Sequence, residues 1–210
     1  MLHALLAAAL AVTAPPATAP AMLLAQATAP GQPNPAAMIA SLTKMSEDFQ
    51  STIRDVQGAV QASATSQERG AEALDRMLAA ARAVAASVSD QSEIWRQVDT
   101  MLSAWTRQHR EAEDRAARDA QFRQIANAWA ERVRQASEVR GQIVSERGRT
   151  QVMIDQIESE RSLILAFYAL GEADKALEGL RRINNELGQL NNGLGALVTS
   201  ARRLAPGAAN

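Results

Sequence analysis

The sequence predicts an all-α fold, an elongated antiparallel helical bundle or coiled coil with one very long central helix. Three observations predict it. Alanine, the strongest helix former, fills 44 of the 210 positions. Aromatic residues, which strands favour, make up only 3% of the chain. All seven prolines lie at positions 15–35 or at 206, so the stretch 36–205 contains none of the residues that break helices most strongly.

The first thirty residues stand apart. Leu2 to Val12 is a run of eleven residues, apolar except for His3, about 16 Å long as a helix. A bilayer core of about 30 Å needs roughly twenty such residues, so the run has the length of a secretory core rather than a membrane span. Small residues in A-x-A spacing follow at Ala17-Thr18-Ala19 and Ala25-Gln26-Ala27. Pro20 would sit directly after a cut at Ala19, whereas Thr28 after Ala27 presents no rigid imide. Residues 1–27 are therefore expected to be a signal peptide, cleaved near Ala27. The weak point is an n-region with His3 but no lysine or arginine, and an Ala/Pro-rich leader on a cytoplasmic protein is the other reading. Residues 28–35 read as a Pro-rich linker. Asn34 is a favoured N-cap, and Pro35 fits the first helical position.

Helix one is expected over 35–64. Leu42, Met45, Phe49, Thr52, Val56 and Ser63 form its seam, with Ala59 between the last two. Thr65-Ser66-Gln67-Glu68 matches a capping box with Thr65 as the cap, so a second helix starts there and folds back on the first. Its seam is Leu74, Leu78, Ala81, Ala85, Val88, Ser92 and Trp95. Ser89 and Asp90, followed by Glu93, offer a second break. From about 91 to 170 nothing in the sequence forces a stop, and an unbroken helix of 80 residues would be about 120 Å long. Gly141 and Gly148 are the candidate bends. The segment from His109 to Gln121 is nearly all charge and alanine and reads as a solvated helical face.

The clearest heptads lie near the C-terminus. Leu180, Ile183, Leu187, Leu190, Leu194, Leu197, Ala201 and Leu204 hold strict three–four spacing. Gly171, followed by Glu172 and Asp174, supplies a helix stop and an acidic first turn. Helix 172–204 is thus expected to fold back on 138–170. Gly179, Gly188, Gly193 and Gly195 flank the seam and point to a bundle of three or more helices, where backbones approach closely. The helical bundle spans 36–205, and Pro206-Gly207 closes it before a disordered tail at 206–210. Ile164, Phe167, Gly171, Ala176, Leu180 and Ile183 give 163–183 a local resemblance to one tetratricopeptide helix pair. No second copy is visible, so the segment reads as an ordinary helical hairpin.

The chemistry that remains is sparse. The absence of cysteine removes disulfides, thiolate metal sites, thiol nucleophiles and a lipid-modified N-terminal cysteine. Lysine plus arginine total 22 against 23 aspartate plus glutamate, a balance that supplies no field to gather nucleic acid. Arg181–Arg182 and Arg202–Arg203, the adjacent basic pairs, read as solvated helix faces. His109 lies in the charged stretch, and Thr106 three residues earlier rules out a Glu-x-x-His motif. Asp155 with Glu158, and Asp114 with Arg118, read as solvated pairs. No glycine-rich phosphate loop occurs. No catalytic, metal or cofactor-binding residue, no cofactor and no enzymatic activity are expected.

Apolar arithmetic singles out one region. If helix one covers the chain to about 95 and the last helix covers 138–170, the span 96–137 has no intrachain partner. It nevertheless carries Leu102, Trp105, Phe122, Ile125, Trp129 and Val133, with Phe122, Ile125 and Trp129 on one face. Such a stripe is either a partner interface or is buried internally by a bend near Gly148. The expected function is that of an exported, periplasmic or secreted bacterial coiled-coil protein acting as a structural or protein-interaction element. Its partner is a protein or a second copy, with no nucleic acid and no transmembrane span in the mature chain. The alternatives are a chaperone-like or ligand-sensing binding module that uses the aromatic stripe, and a surface-active cytoplasmic helical protein if the leader is not a signal.

Overall fold

The computed structural model describes residues 34–205; the leader at 1–27, the linker up to Pro33 and the tail at 206–210 lie outside them. The described residues are helical, without strands: α1 (Pro35–Ala62), α2 (Gln67–Ser87), α3 (Glu93–Ala116), α4 (Arg123–Ala169) and α5 (Ala173–Arg202). Short 3₁₀ turns at Ser63–Thr65 and Ala120–Phe122 join α1 to α2 and α3 to α4.

Local chemistry sets most of the boundaries. The Asn34 side chain accepts from the Ala36 N–H at 3.0 Å, and Pro35 occupies the first turn, as the sequence predicts. The cap of α2 is Ser66, which accepts from the Arg69 N–H at 3.3 Å. The expected Thr65 cap is therefore displaced by one residue, because the 3₁₀ turn absorbs Thr65 and leaves Ser66 extended. The second break is real and is capped by Ser92, not Asp90; the Ser92 Oγ accepts from the Trp95 N–H at 3.1 Å. Gly171 ends the α4 segment with φ +77°. The Glu172 N–H reaches the Phe167 carbonyl at 2.8 Å and the Gly171 N–H reaches that of Tyr168 at 3.1 Å, a Schellman pair.

The 80-residue helix does not form. The chain turns at 117–122, and the longest helix, α4, has 47 residues, about 70 Å. Asp119 adopts an extended backbone there and accepts from the Gln121 N–H at 2.9 Å. A short acidic side chain competing for backbone donors is a modest local signal against helix, and the larger gain is the packing of α3 on α4 that the turn allows. Neither glycine interrupts α4, which runs through both Gly141 and Gly148.

Partner numbers on α4 fall as numbers rise along α2 and α3. Asp75 meets Arg161, Arg82 meets Glu158, Asp90 meets Arg147 and Asp99 meets Arg140. Trp105 then meets Trp129. The same reversal relates α4 to α5, where Glu160 meets Arg182, Gln156 meets Glu186 and Glu146 meets Gly193. α1 packs on α2 and α5. The region beyond Asp99 and Arg140 is thus a two-helix arm, α3 against the start of α4, leaving a core of four packed helices.

The α5 seam lies inside that core: Leu180, Ile183, Leu187, Leu190, Leu194, Leu197, Ala201 and Leu204 are all buried. Two of its flanking glycines make room for a side chain of α4, not for the close backbone approach that was expected. A Cβ on Gly179 would sit 2.9 Å from Ile164 Cγ1, and one on Gly193 would meet the Glu146 carboxylate, whereas Gly188 and Gly195 face open space. The other seams differ in register. In α1 the buried line passes through Ile53 and Val60 instead of Thr52 and Ala59. In α2 it uses Ala73, Met77, Ala80 and Val84 beside Leu74 and Ala81, and Leu78 and Ala85 are only half-buried. α2 touches α1 on one flank and α4 on the other, which widens its apolar stripe beyond a two-helix seam.

Candidate interaction surface

The residues predicted to lack an intrachain partner have one. The turn at 117–122 returns the chain, so 123–140 covers 96–116. Trp105 and Trp129 are buried against each other, with ring centroids 6.5 Å apart and planes tilted by 55°. This spacing and tilt suit the positive edge of one ring against the negative face of the other. Leu102, Phe122, Ile125 and Val133 are half-buried and keep part of their surface in solvent.

Cations complete the aromatic cluster. The Arg132 guanidinium lies 5.4 Å from the Trp105 ring centre and 5.7 Å from that of Trp129. Burial there holds its pKa below the usual arginine value. A planar guanidinium spread over aromatic faces keeps favourable electrostatics while shielding the rings from water. Arg115 caps Phe122 at 5.9 Å. At the base of the arm, Arg140 and Arg147 lie 4.6 Å and 5.3 Å from the Trp95 ring. Arg132 was not singled out by sequence reasoning, although its place three residues after Trp129 puts both on one helical face.

A second feature was also missed. Glu146 is buried, with 7% of its side chain exposed, at the contact of α4 with the Gly193 backbone. Arg149 donates to its Oε1 at 2.9 Å, while Oε2 has no hydrogen-bond partner. Burial raises the Glu146 pKa, and the nearby Arg149 charge opposes that rise. The signal was present in the sequence, since Glu146 and Thr150 continue the spacing of Val139, Ile143, Met153 and Ile157, all buried. His109 is 3.6 Å from Glu113 on the same helix face. Asp155 accepts from Gln151 at 2.8 Å, and Glu158 pairs with Arg82.

Among the described residues no group of three or more His, Asp or Glu side chains is placed to hold a metal ion, and no helix is long and apolar enough to cross a membrane. What the arm can do is present a helical surface edged by half-buried apolar side chains and exposed charge. No protein-family profile, no curated protein and no solved structure matches the chain.

Proposed function

We propose that the protein is a non-enzymatic structural or protein-interaction element, exported from a bacterial cell to the periplasm or the exterior. In this reading the helices form an elongated antiparallel bundle with coiled-coil seams, and the arm meets a protein partner or a second copy. The single observation that carries it is the descending order of residue pairs, from Asp75–Arg161 to Trp105–Trp129, along most of α4. Such pairing builds length rather than a pocket. The half-buried Leu102, Phe122, Ile125 and Val133 supply the apolar edge a partner would cover. The alternative of a binding module built on the stripe is less well supported, because the Trp105 and Trp129 rings are already occupied by each other and by Arg132.

Shape tests the bundle reading. A compact globule of residues 34–205 would have a radius of gyration of about 16 Å. A rod around a helix of about 70 Å would give roughly 22 Å. Small-angle scattering on a verified monomer should return the larger value, and a value near the smaller one would overturn the elongated reading. Export is decided separately by the intact mass of protein recovered from its native host. Loss of residues 1–27 is expected; a retained Met1 on a chain found in the cytoplasm would refute the assignment.

A further inference from the structure

We propose that the Trp105–Trp129 pair marks a boundary of cooperativity, beyond which the tip of the arm opens by itself while the helices below stay folded. Burial changes abruptly at the pair. Between 106 and 125 only Ala112 is buried, with Ala116, Phe122 and Ile125 among the half-buried residues. By contrast, α1 alone buries Met38, Leu42, Met45, Phe49, Ile53, Val56 and Val60.

Polar ties change at the same place. On the bundle side of the pair, ion pairs join α4 to Asp75, Arg82, Asp90 and Asp99. Beyond it, among the described residues, no ion pair joins α3 to α4, and the His109–Glu113 contact stays within one helix. The Arg115–Phe122 contact and the Asp119 cap hold the turn itself.

Among the described residues, no third helix lies beside the tip. α1 begins at Pro35, its cap Asn34 lying beside Arg96, Gln97 and Thr100, and α5 ends at Arg202. Segments with few buried apolar contacts and solvent-facing backbone open at a small fraction of the free energy needed to unfold the core. The tilted ring pair under Arg132 is the last large buried contact before such a segment, and it acts as a clasp.

Native-state hydrogen exchange tests this on the whole protein at several low denaturant concentrations. Amides of 107–125 should exchange at least about a hundredfold faster than those of Ile143–Ile157, with a shared and weaker dependence on denaturant. Trp105→Ala should carry the fast region down towards Met101 and Ala136, and Trp105→Phe should restore most of the boundary. Ile125→Ser, which leaves the clasp in place, should speed exchange in the tip alone. Equal protection of the tip and of Ile143–Ile157, with one shared denaturant dependence, would overturn the proposal. So would an Ile125→Ser variant that loses protection equally in both regions.

Discussion

Tyr168 lies across Gly70, and each dictates the other. The Tyr168 hydroxyl donates to the Ser63 carbonyl at 3.0 Å, pinning the turn between α1 and α2 to the end of α4. A Cβ at position 70 would stand 2.9 Å from Tyr168 Cζ and closer still to Cε2. Glycine suits this position inside α2 because the ring fills the space a Cβ would take.

Gly70→Ala therefore sets a gain against a loss. Helix propensity favours alanine by about 1 kcal/mol. Forcing a packed ring aside costs about 1–3 kcal/mol, plus the hydrogen bond if the hydroxyl leaves Ser63. A net loss is expected, read as a lower urea midpoint. Tyr168→Phe alone should cost about 0.5–1.5 kcal/mol. The double variant should lose less than the sum, because the two changes damage one contact.

The α5 seam gives the largest predicted loss. Leu190→Ala empties a position that is 3% exposed and should cost about 2–5 kcal/mol. Denaturant unfolding would measure it. An unchanged midpoint would mean that α5 does not pack as described.

Glu146 predicts a pH dependence with a definite sign. Its pKa is raised in the folded state by burial. A carboxyl raised in this way binds more protons folded than unfolded, so its contribution is fully present below the unfolded pKa and is lost as pH rises through the folded one. Acidification from neutral pH should therefore strengthen the α4–α5 contact in this window. Glu146→Gln should be more stable than the parent at neutral pH and show a flatter profile there. Urea titrations of both proteins between pH 4 and about 8, where an ordinary and a raised carboxyl titrate, would check it.

The half-exposed edge of the arm predicts an association phenotype. If Phe122 and Ile125 meet a second copy, serine at both positions should give a helical protein of lower mass in solution. Light scattering across a concentration series measures this, and a parent that is already monomeric would leave only a different protein as partner.

The parts legible in the sequence are those with local causes. Asn34 before Pro35, Gly171 before two acids, and the leucine spacing from 180 to 204 each act within a turn or two of helix, and each appears where expected. The turn at 117–122 had no such cause. Ala116, Ala117 and Ala120 favour helix as strongly as their neighbours, and Asp119 is a modest local signal. What the turn gains is the burial of Trp105 on Trp129, a contact between residues 24 positions apart that no window on the sequence contains. The seam of α1 slipped for a different reason. The steps Met45, Phe49, Ile53 and Val56 run four, four, three, which a straight helix accommodates and a strict heptad does not.

The continuity of α4 has a mechanical consequence. One uninterrupted helix runs from the arm into the core, so the residues from 123 to 138 overhang a clamp formed by α2 and α5 on 139–169. The overhang is about 24 Å and the clamped length about 46 Å. A sideways push on the arm is therefore delivered as torque to the clamp, not absorbed at a joint. Past the buried Val139 and Ile143, it reaches Glu146 on Gly193 and, farther along, Ile164 on Gly179, where the side chain fills the space a Cβ would take. A load applied to the arm below the Trp105–Trp129 pair runs along one helix towards the buried carboxylate.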